Sequence, residues 1–405
     1  MPAALPEGQP AASDGSLPEQ ALSEIARRPL GIYIHVPFCT TRCGYCDFNT
    51  YTAAELGAEP GASRAGYVAA AISELELAAR VLGPDAPEIS TIFVGGGTPT
   101  VLPPDDLGRL IAVVSDRFGL AKDAEVTTES NPESIDAASL YRLRELGFNR
   151  ISFGMQSVMP HVLTTLDRTH SPGRPQQAIA EAKAAGFANT SLDLIYGTPG
   201  ESAADWRASL DAALAASPEH ISAYALIVEE GTRLVARIRR GELPPPDDDD
   251  LADKYLIADE RLVGTGYQAY EVSNWSTSSA TRCRHNLGYW RSDHWWGIGP
   301  GAHSHVGGVR WWNAKHPRAY ASRLADGWSP VQAREVLTRD DRRVERILLE
   351  LRLADGLTTS LLTSTERGRL ADLCARGLAV VEDHKLILTR NGRLLADGVV
   401  RELLD

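Results

Sequence analysis

Residues 31–48 read Gly-Ile-Tyr-Ile-His-Val-Pro-Phe-Cys-Thr-Thr-Arg-Cys-Gly-Tyr-Cys-Asp-Phe: an apolar run that passes directly into Cys39, Cys43 and Cys46. The β-branched and aromatic stretch 31–37 has the near-continuous hydrophobicity of a strand buried on both faces, and Pro37 closes it. The three thiols therefore fall on the loop at the carboxyl end of the first strand, the face where parallel α/β barrels place their active sites.

Working outward, similar strand patterns recur at 91–95, 125–129, 150–156, 191–196 and 220–226. Helical patterns separate them, at 67–81, 107–118, 137–146, 159–166, 175–185 and 204–214. These gaps are too long for hairpins and suit crossover helices, so the class is α/β with a parallel sheet. A partial (β/α)6 barrel and an open sheet both satisfy the pattern.

Beyond the repeats, 237–250 carries three prolines and four aspartates in sequence and is expected to be a solvated surface loop. A helix is expected over 251–264, and the segment 266–312 holds six of the eight tryptophans, as a cap on the barrel would. From 331 onward, two helices, an apolar hairpin and a last helix follow in winged-helix order, an α+β accessory unit. Its 13 basic and 13 acidic residues lack the electrostatic footprint of a DNA reader. The expected organisation is a flexible lead-in at 1–29, a barrel at 30–235, a linker and capping region at 236–330, and a small C-terminal domain at 331–405.

The whole chain has 405 residues, with 41 basic against 53 acidic side chains for a net charge of −12, which excludes a protein built mainly to neutralise nucleic-acid phosphates. It has no apolar run long enough for a membrane helix and no secretory pattern at its start. Of its five cysteines, Cys283 and Cys374 stand apart from the cluster, which is no disulfide framework. This usage points to a metal in a reducing cytoplasm. Three thiolates on one short loop suit three corners of a 4Fe-4S cube, leaving the fourth iron open for a substrate. The alternative is a zinc site completed by His35 or Asp47, although zinc ligands more often come as pairs on separate loops.

The stretch 31–48 resembles the signature loop of radical S-adenosylmethionine (SAM) proteins, and more narrowly the branch that holds oxygen-independent coproporphyrinogen III dehydrogenase and the HemW heme chaperones. The resemblance implies that SAM chelates the open iron and that an electron from the cluster splits its sulfonium, giving methionine and a 5′-deoxyadenosyl radical. It also implies SAM contacts. Gly96, Gly97 and Thr98, in the triplet turn that ends the second strand, resemble the site for the methionyl amino group. Glu129 matches the acidic contact, while Gln156, Arg168 and Asp193 match the ribose and carboxylate end. Tyr33 and Tyr45 match more loosely, and Ala225 on the sixth strand is the weakest match. Independently of the resemblance, an aspartate inside the apolar run Leu-Asp-Leu-Ile-Tyr is costly unless paired or bound to something.

Porphyrinogen-oxidising members carry a further cysteine two residues after the third, where this chain has Phe48, and a tyrosine-containing upstream segment, whereas residues 1–29 contain no tyrosine. His285-Asn286-Leu287-Gly288-Tyr289-Trp290 matches the His-Asn-x-x-Tyr-Trp motif of the HemW group, and the segments around Tyr270 and Gly299 resemble that group as well. The resemblance thus implies a protein that takes heme as cargo and delivers it to heme-dependent respiratory proteins, with an electron donor for the cluster, possible pairing of two copies, and no nucleic-acid role. It would work in the cytoplasm, at the membrane surface when meeting acceptors. Coproporphyrinogen III oxidation is the alternative activity. His285 is the candidate heme ligand, since imidazole is a standard axial ligand; a packing role is its alternative. Cys283, His303 and His305 are further candidates.

Overall fold

A computed structural model describes residues 8–57, 63–168 and 170–404. Six parallel strands, β1 (Leu30–Val36), β2 (Ile89–Gly96), β3 (Leu120–Ser130), β4 (Arg150–Gln156), β5 (Asn189–Tyr196) and β6 (His220–Ala225), lie side by side in chain order. A doubly wound sheet would reverse its strand order at a switch point. A sequential order with right-handed crossovers instead puts every helix on one face, so the sheet curls with its other face inward. Of the two architectures open to the sequence, the winding is that of the partial barrel.

The outer face is the apolar one: Leu30, Ile32, Ile34 and Val36 of β1 are fully buried in the main core beneath the crossover helices. With a side-chain period of two, the inner face receives Tyr33, Phe93, Glu129, Arg150, Ser152, Asp193 and Tyr224.

The aromatic segment does more than cap. Strands β7 (Gln268–Ala269) and β8 (Asn274–Ser276) extend the sheet beyond β6, while β9 (His294–Ile298), β10 (His303–Val306), β11 (Val309–Asn313) and β12 (Val331–Val336) extend it beyond β1. Strand β9 runs parallel to β1, and Trp296 and Trp311 meet edge-on at 4.8 Å in the extended core. The expected boundary at residue 331 thus falls on a strand of the large sheet. A separate core, built on Ile347, Leu351, Leu373, Leu386 and Leu403, belongs to the helix Arg339–Glu350 and the chain after it, including the three-stranded sheet β13 (Leu357–Thr358), β14 (Ala379–Glu382) and β15 (Lys385–Leu388).

Two further expectations are corrected. The first seven residues of the lead-in lie outside the described residues, but residues 8–29 are not detached: Gln9 and Arg334 exchange backbone hydrogen bonds at 2.7 and 2.8 Å, and Ala21 and Ile25 are buried. The apolar side chains Leu17, Ala21, Leu22 and Ile25 give this stretch a core to join. The acidic run is no loop either: Asp247 caps the helix Asp248–Gly264, and Asp248, Asp249 and Asp250 fill its first turn, where negative charge complements the helix dipole. A second helix, Arg233–Arg239, occupies the other end of the supposed linker.

Candidate functional site

The three cysteines follow β1 on a loop with little regular structure of its own, fixed by its neighbours. Gly44 donates to the Leu166 carbonyl at 3.0 Å and accepts from Leu234 at 2.9 Å. Tyr45 packs its ring among Met159, Val162 and Leu166. All three thiols are free and partly exposed, and burial pushes Cys39 and Cys46 up, the latter to about 11. Such thiols are poor nucleophiles as they stand, and bound metal is what would deprotonate them.

The glycine turn clasps this loop. Gly97 donates to Val36 O and Thr98 to Phe38 O, both at 2.8 Å, and a Cβ on Gly97 would sit 2.5 Å from the Phe38 carbonyl. Only glycine permits that approach. The Thr98 hydroxyl reaches Cys39 Sγ at 4.0 Å. On the other side Arg168 donates to Cys43 Sγ at 3.4 Å and to Gly154 O at 3.0 Å, tying the cysteine loop to the end of β4, while its Nε has no partner among the described residues.

Below the loop lies the carboxylate pair. Glu129 accepts from Gly96 N at 3.2 Å; loss of water, then the nearby Asp193, pushes its carboxyl up to about 8. Asp193 accepts from Ser152 Oγ at 2.9 Å and is also raised, chiefly by burial. Gln156 adopts φ 64°, the left-handed region that a non-glycine residue enters at a cost, just past an irregularity in the β4–β5 pairing. Tyr33 joins the site through its hydroxyl, 2.9 Å from His35 Nδ1. Sequence-predicted Tyr45, Gly96, Gly97, Thr98, Glu129, Gln156 and Arg168 therefore gather at the carboxyl ends of the strands, while Asp193 and Tyr33 point into the barrel from mid-strand, the Tyr33 ring also lying 6.4 Å from that of His285. Ala225 ends β6 on the same side, beside Tyr224, which is 44% exposed.

Asn49 was missed by the sequence reading. Its Nδ2 donates to the carbonyls of Pro300 at 2.9 Å and Lys315 at 2.7 Å, and its own carbonyl lies 2.9 Å from His35 Nε2. It clips the exit of the cysteine loop to the 299–316 segment. Behind the clip, the fully buried Glu74 accepts from Gly299 N, Asn313 Nδ2 and Tyr320 Oη at 2.8, 2.7 and 2.6 Å. A lone polar residue three positions after Cys46 was the only signal in the sequence.

His285 is elsewhere. The short helix Arg284–Trp290 closes the opposite, amino-terminal end of the strands, where Gly31 pairs with Thr91. Val36, five residues farther along β1, is roughly 17 Å away. Glu125 of β3 holds the start of the helix, accepting from Arg284 N at 2.9 Å and His285 N at 3.0 Å. The His285 ring is 4% exposed, stacked on Phe93 at 5.3 Å, with Nδ1 2.8 Å from Thr91 Oγ1 and Nε2 2.8 Å from Tyr289 Oη. Burial pushes its pKa down to about 3. The cleft beside it holds about 150 Å³, below the roughly 300–1,000 Å³ of typical ligand sites. In this arrangement both ring nitrogens are engaged and the helix is packed as a plug, so a ligand to His285 would take the place of Thr91 or Tyr289. Cys283 is likewise buried, with its thiol pushed up to about 12, and His305 Nδ1 lies 2.9 Å from the Asp293 carbonyl.

A thiol triad on the first strand loop, a glycine turn on the second and acidic groups on the third and fifth define a radical SAM type of site on a partial barrel. The sequence matches the Radical SAM superfamily over residues 33–213. The heme chaperone HemW of Mycobacterium tuberculosis (strain CDC 1551 / Oshkosh) is 52% identical over 383 residues, 95% of this chain and 97% of that one. HemW of Bacillus subtilis (strain 168) is 32% identical, covering 91% and 97%. The structure of coproporphyrinogen III oxidase (HemN) from Escherichia coli superposes with a TM-score of 0.78 at 23% identity, covering 98% of this chain and 96% of that one, and so shares the fold. This chain belongs to the HemW branch of the radical SAM superfamily.

Proposed function

We propose that this protein is a heme chaperone: it binds heme as cargo and passes it to heme-dependent respiratory proteins, carrying a 4Fe-4S cluster on Cys39, Cys43 and Cys46 and SAM beside it. The observation that carries this reading is 52% identity over 95% of the chain to a protein named for that role. The donor set suits the cluster. A cube takes each thiolate on a different iron.

When bound, cluster and SAM supply reductive cleavage of a carbon–sulfur bond. The residues of this chain position and shield them. Glu129, held in a water-poor niche with its carboxyl raised, suits the cationic end of SAM, whose charge would restore the carboxylate. Arg168, Gln156 and Asp193 would line the ribose and carboxylate end of SAM, with Tyr33 and Tyr45 as further contacts.

Phe48 disfavours the porphyrinogen oxidase alternative. It stands where a fourth cysteine would be and is 59% exposed, so it adds an apolar rim and no ligand. An electron donor, acceptors at the membrane surface and pairing of two copies complete the proposal; among the described residues no helix is long and apolar enough to cross a membrane. Anaerobically reconstituted protein, offered heme and coproporphyrinogen III separately, tests it. Heme should produce a Soret shift and the porphyrinogen no product; SAM-dependent decarboxylation would reverse the assignment.

A further inference from the structure

Arg150 begins β4 on the inward face of the barrel and is 2% exposed, yet its Nε and Nη2 have no hydrogen-bond partner among the described residues. A buried guanidinium is tolerated only with opposite charge nearby. Here that charge comes from both ends of the strands.

In the β3–β4 pairing Arg150 lies opposite Thr127, midway between Glu125 and Glu129 on the same face of β3. Each of the two is about 7 Å away along the strand. On β5 its partner is Asn189, four positions before Asp193. The charge of Arg150 interacts with Cys283, Glu125 and Tyr270 toward the amino ends, and with Asp193 and Glu129 toward the carboxyl ends. Thr127 Oγ1 and Asn189 Oδ1, which flank it in register, are also without partners among the described residues, so no hydrogen bond pins the guanidinium to one side.

The two carboxyl groups of β3 differ in what they hold. Glu125 accepts from the first amides of the helix Arg284–Trp290, whereas Glu129 faces the open end and is driven toward its neutral form. With Glu129 protonated, Arg150 answers mainly Glu125. A cation bound beside Glu129 favours its ionised form, the proton leaving to solvent, and gives the guanidinium a second carboxylate to answer. What Glu129 gains, Glu125 loses. A ligand that displaces Thr91 or Tyr289 from His285 needs the same helix to yield.

We infer that Arg150 is a positioning residue that couples the two ends of the barrel: SAM bound at Glu129 draws its guanidinium from Glu125, loosens the hold on the helix 284–290 and eases access to His285. This rests on the SAM site of the proposed function. By linkage, a ligand that opens the helix tightens SAM binding by the same factor.

The test is amide hydrogen exchange of residues 284–290 in full-length, anaerobically reconstituted protein with and without saturating SAM, while the EPR signal of the reduced cluster reports SAM occupancy. In wild type SAM should speed exchange of these amides at least about fivefold. Arg150→Met should abolish the response at SAM levels that still perturb the EPR signal, and Arg150→Lys, which keeps a cation, should restore part of it. Glu125→Gln keeps an acceptor for the helix amides without the charge, and should lose the response as well. Unchanged exchange in wild type, or the wild-type acceleration in Arg150→Met or Glu125→Gln, would overturn the coupling while leaving the SAM site and the chaperone reading intact. An EPR signal that SAM never perturbs would overturn that site and this inference with it.

Discussion

The two ends of the same six strands make opposite use of polar residues. At the amino ends, hydrogen-bonded chains hold the plug: Glu125 holds the helix start, His285 spans Thr91 and Tyr289, and a second chain runs from Ser191 through His220 to Tyr270 at 2.8 Å per step, although buried Arg150 keeps two nitrogens without a partner among the described residues. At the carboxyl ends the groups are left wanting. Three thiols are free, Arg168 has a nitrogen unpaired among the described residues, Glu129 is driven toward its neutral form, and Gln156 is held at positive φ. A satisfied buried network gives rigidity and a unique packing, whereas unsatisfied groups in a cleft are what a ligand completes. The most distinctive histidine motif in the sequence thus lies at the end where its polar groups are bonded to one another.

Substitutions that separate the two ends should have different readouts. The largest effect is expected at the open end: replacing Cys39, Cys43 or Cys46 by Ala should abolish the cluster, measured as iron, sulfide and EPR signal, while Cys374→Ala leaves it intact. Retention of a full cluster after loss of any one of the three would break the contrast.

At the closed end, His285→Ala should cost about 2–4 kcal/mol of stability in a denaturant titration, because it leaves Thr91 and Tyr289 without their partner and opens a void against Phe93. The cluster EPR signal should persist. Acid should show the same residue at work. The folded ring stays neutral down to about 3, while an unfolded histidine protonates near 6.5. The unfolded state binds the extra proton between those values, so stability falls as pH drops from about 6.5 toward 3. His285→Phe should flatten that slope; an unchanged slope would remove His285 from the plug.

A tenfold effect is expected at the carboxylates. With Glu129 at about 8, the fraction ionised rises about tenfold between pH 7 and pH 9, so SAM affinity for the reconstituted protein should rise by about that factor. Glu129→Gln should bind weakly and without the pH trend. A pH-independent wild type would argue that the carboxyl is already ionised in the cluster-loaded state.

The smallest effect should come from Asn49→Ala, which loosens the clip without touching a ligand. Release of iron to a chelator should accelerate a few-fold, on the order of a lost hydrogen bond or two, with cluster content after reconstitution unchanged. Release at the wild-type rate would show that the glycine clasp alone holds the loop.

The sequence alone determined the winding unit and the open site, because strand runs, crossover-length helices and a thiol triad are local patterns. The period of two and the cysteine spacing can be read without knowing what packs against them. Tertiary structure decided everything that depends on partners across the chain. Glu125 and Thr91 reach His285 from 160 and 194 residues away, so no local pattern could show that its ring is spent. The same holds for the extension of the sheet by the tryptophan-rich strands, for the acidic run that became a helix start beside Lys254 and Glu201, and for the Asn49 clip, whose partners lie more than 250 residues downstream. A ligand and a packing residue share one side chain, and the physical difference between them is whether a distant donor or acceptor has already taken its lone pairs and protons.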